Sequence, residues 1–168
     1  MLTNYDIEKI AEKLDLPLIG VFMRDELPTQ RKIGSYVINL DSSEGDGTHW
    51  VFAKIFCDAD RSDSDSDSDD ESSINKYCGC LYFDAFGFGM PIEVENFLKP
   101  FSVKVINTKQ IQNIASTQCG WYCIYCDYYL ETNKDGKSYV DDYRKFIDIW
   151  DKDPSKNLTI LKDKFKPL

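Results

Sequence analysis

Apolar residues at positions 7, 10, 11 and 14 of "TNYDIEKIAEKLDL" recur at helical spacing, so the chain opens with an amphipathic helix for which Thr3 or Asn4 is the N-cap. The period then shortens. "LIGVF" (18–22) and "SYVINL" (35–40) read as short strands separated by a proline-containing loop. "HWVFAKIFC" (49–57) and "YCGCLYFDAF" (77–86) give the strongest strand signals, dense in aromatic and β-branched residues. Helical periodicity returns in "MPIEVENFLKP" (90–100), opened by Pro91 and stopped before Pro100, and "SVKVI" (102–106) is one more strand. From Cys119 to about Glu131 the pattern is helical but apolar nearly all round, the mark of a buried helix. "KSYVDDYRKFIDIWD" (137–151) gathers Val140, Tyr143, Phe146, Ile147 and Trp150 on one side, and "NLTILKDKF" (157–165) forms a last short helix. No internal repeat is visible. A helix, then strands, then helices predict an α+β fold, with a central, mostly antiparallel or mixed sheet flanked by helices.

Length and composition agree with a single domain over residues 1–168. With 42% hydrophobic and 14% aromatic residues, a core can form without staples. The net charge of −9 is concentrated: "DADRSDSDSDSDDE" (58–71) holds eight acids and one arginine. The rest carries 21 acids against 19 bases, so the body is close to neutral. Alternating Ser and Asp repel one another and have little to bury. Residues 58–75 are therefore expected to be a disordered acidic insertion at the tip of a hairpin formed by the strands on either side, a solvated loop or an acid-directed phosphorylation and partner segment. A body without a basic stripe argues against nucleic acid as a partner. No apolar run approaches the ~20 residues of a membrane span, and "MLTNYDIEKIAEKLDL" lacks the basic and apolar regions of a signal peptide. A soluble, non-secreted chain with reduced thiols is expected.

Candidate chemistry centres on His49, the only histidine. It begins a strand directly after "EGDGT", whose Gly47 lets the backbone come close to a neighbour. Cys119, followed by Gly120, opens the buried helix. There the helix dipole and free N–H groups favour a thiolate. Cys123 and Cys126 lie deeper in that helix and read as small core residues, as do Cys78 and Cys80, which share one face of a strand. The four could hold zinc as "CGC" plus C-x-x-C, but neither segment has the spacing or tight turn of a zinc knuckle, so no metal is expected. If strands 49–57 and 77–84 pair antiparallel, Asp84 at one end faces His49 at the other. Gln112, seven residues before Cys119, can offer its amide to an oxyanion. Nucleophile, base, orienting acid and oxyanion donor are the four parts of thiol acyl transfer.

Together, "GTHW", "YFDAFGFG" and "QNIASTQCGWYC" resemble the adenovirus-type (adenain-like) maturation cysteine proteases, whose clan includes the ubiquitin-like-protein deconjugases. "LPLIGVFMRDELP" extends the resemblance upstream, so that it covers about residues 15 to 130. The order His, acid, Gln, Cys matches, and the seven-residue step from Gln to Cys is one more than is usual in the deconjugases. The resemblance implies a papain-like fold of the adenain type, its buried helix carrying the nucleophile. It makes Cys119 the nucleophile, His49 the base and later acid, Asp84 its partner, Gln112 the oxyanion donor and Trp50 a wall of the site. It also implies cleavage of viral capsid or core precursor polypeptides after small Gly-containing motifs during virion maturation, in the virion and the infected cell's cytoplasmic virus factory or nucleus.

The family's acid is Glu where this chain has Asp84. A cysteine eighteen residues before the nucleophile tethers an activating peptide in adenoviral enzymes, and Phe101 occupies that place here. Those enzymes use DNA as a cofactor through a basic surface, whereas this body is slightly acidic. The expectation is thus a monomeric enzyme needing no cofactor for its chemistry, with peptide or DNA activation as the routes the resemblance suggests. A deconjugase for Gly-Gly tails and a non-catalytic acidic interaction module with structural cysteines are the alternatives. Gln118, where the deconjugases place Asp, favours the viral protease over the former.

Overall fold

The structure, a computed structural model, describes residues 1–57, 78–134 and 138–166. Helix α1 (Asn4–Lys13) starts at Thr3, whose hydroxyl accepts from the Asp6 N–H while the Asp6 carboxylate accepts from the Thr3 N–H. This reciprocal cap satisfies two otherwise orphaned donors, and it is where Ile7 and Ala11 turn inward. Strands β1 (Leu18–Met23), β2 (Gly34–Asn39), β3 (Trp50–Cys57), β4 (Cys78–Phe83) and β5 (Val103–Ile106) form one sheet in sequence order. Helix α2 (Ile92–Leu98) lies between β4 and β5. Helices α3 (Cys119–Thr132), α4 (Tyr139–Asp148) and α5 (Asn157–Lys164) follow the sheet, with a short 3-10 turn at Pro154–Lys156 before the last.

An α+β fold with a mixed sheet flanked by helices is therefore present, but the sheet is not mostly antiparallel. β2–β3 and β3–β4 are antiparallel, whereas β1–β2 and β4–β5 are parallel. Parallel neighbours need a crossover. Helix α2 supplies one. The other is the loop 24–33, which packs Leu27 on the same side of the sheet and donates from Arg31 Nε to the Phe97 carbonyl at 2.6 Å. A crossover without a helix has no periodicity to betray it.

Strands β2 to β4 are buried on both faces. On one face Val37, Phe52, Phe56, Leu81 and Phe83 join α3 and α4 in the larger core. On the other, Tyr36, Ile38, Val51, Ile55 and Tyr82 meet Val94, Phe97 and Leu98 of α2. A buried charge interrupts the first face: Lys54, 2% exposed, places its Nζ 3.2 Å from Asp127 Oδ1, 2.8 Å from Glu131 Oε1 and 2.9 Å from the Ser35 hydroxyl. Burial opposes its charge, but the two carboxylates outweigh that and raise its pKa.

The expectation of uniformly reduced thiols is corrected. Cys57 and Cys78 are joined in a disulfide, so Cys78 is not a free core thiol. Antiparallel register explains the pairing: Phe52 opposite Phe83 brings Cys57 opposite Cys78, with Cα atoms 4.1 Å apart. Cys80, Cys119, Cys123 and Cys126 are free. The acidic run expected to be a disordered loop over 58–75 lies outside the described residues. No helix among the described residues is long and apolar enough to cross a membrane.

Candidate active site

The loop that delivers His49 is held from within. Asn39, ending β2, accepts at Oδ1 from the Asp41 and Thr48 N–H groups, and the Gly47 N–H donates to Asp41 Oδ2 at 3.2 Å. Gly47 has φ +84, in the left-handed region that glycine tolerates, and a Cβ there would lie 3.1 Å from Asn39 Nδ2. His49 then enters the ladder through its carbonyl, which accepts from the Leu40 N–H at 2.8 Å. It is 8% exposed.

Asp84 follows the last residue of β4 and is fully buried. Its Oδ1 lies 2.7 Å from His49 Nε2 and accepts from the Phe86 N–H at 2.8 Å. The backbone around it is clamped. Asn107 accepts from the Asp84 N–H and donates to the Asp84 carbonyl, at 2.9 and 2.8 Å. The Gly87 N–H closes the turn onto that carbonyl. Gly87 has φ +74, and a Cβ there would meet the Lys109 backbone at 2.8 Å, so the turn requires glycine.

With Nε2 committed to Asp84, Nδ1 is the nitrogen left for Cys119, the first residue of α3 and a hydrogen-bond partner of His49. Burial lowers the readiness of His49 to hold a proton, but Asp84 and then Cys119 reverse this and bring its pKa up to about 9. Burial likewise opposes the Cys119 thiolate, and the His49 hydrogen bond, backbone hydrogen bonds from Trp50 and Gly120 and the imidazolium charge outweigh it, leaving the pKa lowered. Both shifts favour the charged form of each partner, thiolate for Cys119 and imidazolium for His49. The other free thiols behave in the opposite way. Cys123 and Cys126 are fully buried and pushed well up by desolvation, and Cys80 is pushed up to about 11. Cys123 donates to the Trp50 carbonyl at 3.4 Å, which pins the start of β3 beneath the helix.

Gln112 is fully buried and tied to the same turn: its N–H and that of Ile111 both donate to the Ala85 carbonyl at 2.8 Å. Its Nε2 donates to the Ser116 carbonyl at 2.7 Å. A carbonyl can only accept, so this contact fixes which end of the amide is the donor and leaves the second Nε2 hydrogen for another acceptor. Trp50 is buried and donates from Nε1 to the Leu2 carbonyl at 2.9 Å. Gly120 lies under both. A Cβ on it would press Leu2 and Trp50 at 3.3 Å. A cavity of about 340 Å³ opens beside Trp50, bordered by Leu2, Met23, Asn39, Asp46 and Gly47.

Thus His49, Asp84 and Cys119 are brought together; Gln112 is tied to the turn after Asp84, Gly47 lies in the loop before His49, and Trp50 and Gly120 are the chain neighbours of His49 and Cys119. No family model matches the chain, and no curated protein matches it. Sequence reasoning missed three contributors. Asn107 grips Asp84 from 23 residues away, and nothing in "VINTK" signals that role. Leu2 reaches the site only because α1 packs on α3. The ring of Phe86 lies stacked on the His49 ring, with centroids 4.3 Å apart and planes 19° apart. The density of aromatics in "DAFGFG" was the one available signal for the last.

Proposed function

We propose that this chain is a cysteine peptidase of the adenain type, with Cys119 as nucleophile and His49, Asp84 and Gln112 in its service. The observation that carries the reading is the orientation of the imidazole, with Nε2 on a buried carboxylate and the opposite nitrogen turned to the only free thiol whose pKa is lowered. In this mechanism the Cys119 thiolate attacks a peptide carbonyl carbon. The oxyanion is met by the second Gln112 Nε2–H and the backbone N–H of Cys119, donors fixed before the charge develops. His49 gives its proton to the leaving amine, and a thioester remains. Water then attacks, its proton passing back to His49, and the acid is released. The substrate class in this reading, small Gly-containing precursor motifs of viral structural proteins, comes from the resemblance to the adenain-like enzymes.

The test is brief treatment with limiting iodoacetamide at neutral pH, followed by peptide mapping. Modification of Cys119 ahead of Cys80, Cys123 and Cys126 is expected. Equal or absent labelling of Cys119 removes the catalytic reading and leaves a non-catalytic binding module. Hydrolysis of Gly-containing precursor peptides, compared with release from Gly-Gly tails of ubiquitin-like proteins, then separates maturation from deconjugation.

A further inference from the structure

We propose that Phe86 is a positioning residue for the candidate nucleophile: its ring holds the His49 imidazole in the plane that joins Asp84 to Cys119. Resting on the thiol–imidazole reading above, this assigns a task that a hydrogen bond alone performs poorly. The contact from His49 Nε2 to Asp84 Oδ1 fixes one point of the ring, about which the imidazole can still tilt and carry Nδ1 away from the thiol. A flat neighbour stacked at 4.3 Å blocks that tilt on one side.

Three features mark the contact as more than incidental packing. First, Phe86 belongs to neither of the two buried cores, and its ring contacts are His49 and Phe88, the latter at 5.9 Å and itself 58% exposed. Second, the Phe86 N–H donates to the same Asp84 oxygen that meets His49, so carboxylate and ring ride on one turn and keep their spacing. Third, that turn is fixed by Asn107 on the Asp84 backbone and by Ile111 and Gln112 on the Ala85 carbonyl, which stops the ring from drifting. The π face also favours an imidazolium over a neutral imidazole. The charged groups that bear on His49 are Asp84 from the turn after β4 and Cys119 from the head of α3, and neither is changed by substitution at Phe86.

Phe86→Leu keeps apolar bulk over the imidazole but removes the flat π face, and Phe86→Tyr keeps that face. The readout is the rate of Cys119 alkylation by iodoacetamide as a function of pH, with the melting temperature as a check on folding. At about pH 6, where an ordinary thiol is inert, wild type is expected to react and Phe86→Leu to react roughly five- to thirtyfold more slowly, its acid limb moved to higher pH. Phe86→Tyr is expected to stay within about twofold of wild type, and peptide turnover to follow in kcat rather than KM. A reactive wild type matched by Phe86→Leu overturns the role of Phe86 alone. Loss in Phe86→Tyr equal to that in Phe86→Leu also overturns it. Should Phe86→Leu not fold, Phe86→Met, of similar volume, takes its place with the same expectation. A wild-type Cys119 no more reactive than a free thiol overturns the underlying catalytic reading, and the role of Phe86 with it.

Discussion

A single oxygen of Asp84 serves two donors, His49 Nε2–H and the Phe86 N–H, and this makes the Asp84→Asn variant informative. In Asn the lone acceptor is retained by the Phe86 N–H, so the amide turns its N–H₂ to the imidazole. That forces the ring proton onto Nδ1, the nitrogen that must receive the Cys119 proton. The turn itself survives, because Asn suits it equally well. The expected loss in kcat is roughly ten- to a hundredfold, about 1.4–2.7 kcal/mol of barrier, with KM little changed. Steady-state rates on one peptide decide it. Equal rates would reduce the site to a Cys119–His49 dyad. Cys119→Ala, by contrast, is expected to abolish hydrolysis in a folded protein. The pH profile follows from the same pair. On the acid side activity rises as Cys119 ionises, to the acid side of the ordinary thiol value because its pKa is lowered. On the alkaline side it falls as His49 loses its proton, around pH 9, since the leaving amine then lacks a donor. A profile with its alkaline limb near pH 6.5, the ordinary histidine value, would falsify the ion-pair assignment.

Among elements, α3 and β3 carry most of the site and show what was legible in the chain. Apolar residues on every side of 119–131 marked a buried helix with a cysteine at its head, and the structure places Cys119–Thr132 there. The facing of His49 and Asp84 followed from two aromatic strands and an assumed antiparallel pairing. The same register also put Cys57 opposite Cys78, a consequence that arguments from size and export could not reach. The parallel pairings at both sheet edges left no trace, because strand polarity depends on crossover loops rather than on strand composition. Lys54 was visible as the one charge inside "WVFAKIFC", but its partners were not, since Asp127 and Glu131 come from a helix more than 70 residues away. Removing the lysine strands a buried carboxylate. Lys54→Met is therefore expected to cost about 3–5 kcal/mol, read by denaturant unfolding, and adding Asp127→Leu is expected to recover most of it. Additive losses in the double variant would contradict the coupling.

At the scale of the whole molecule, β3 has the candidate base at one end and a covalent tie at the other. The Cys57–Cys78 bond spans the ends of the acidic segment. In the chain-entropy view, closing a loop of this size restricts the unfolded state by roughly 3 kcal/mol. Replacing both cysteines with serine is thus expected to lower the melting temperature by roughly 6–12 °C. Alkylation of Cys119 is expected to be unchanged, because the tie lies at the far end of the strand from His49. A fall in Cys119 reactivity would instead show that the two ends communicate. The contact of Leu2 with Trp50 and Gly120 bears on how variants are read. Substitutions at Leu2 therefore act on a wall of the candidate site as well as on the entry to α1. A variant altered there can lose reactivity while Cys119, His49 and Asp84 are all intact, so its inertness is not evidence against the triad.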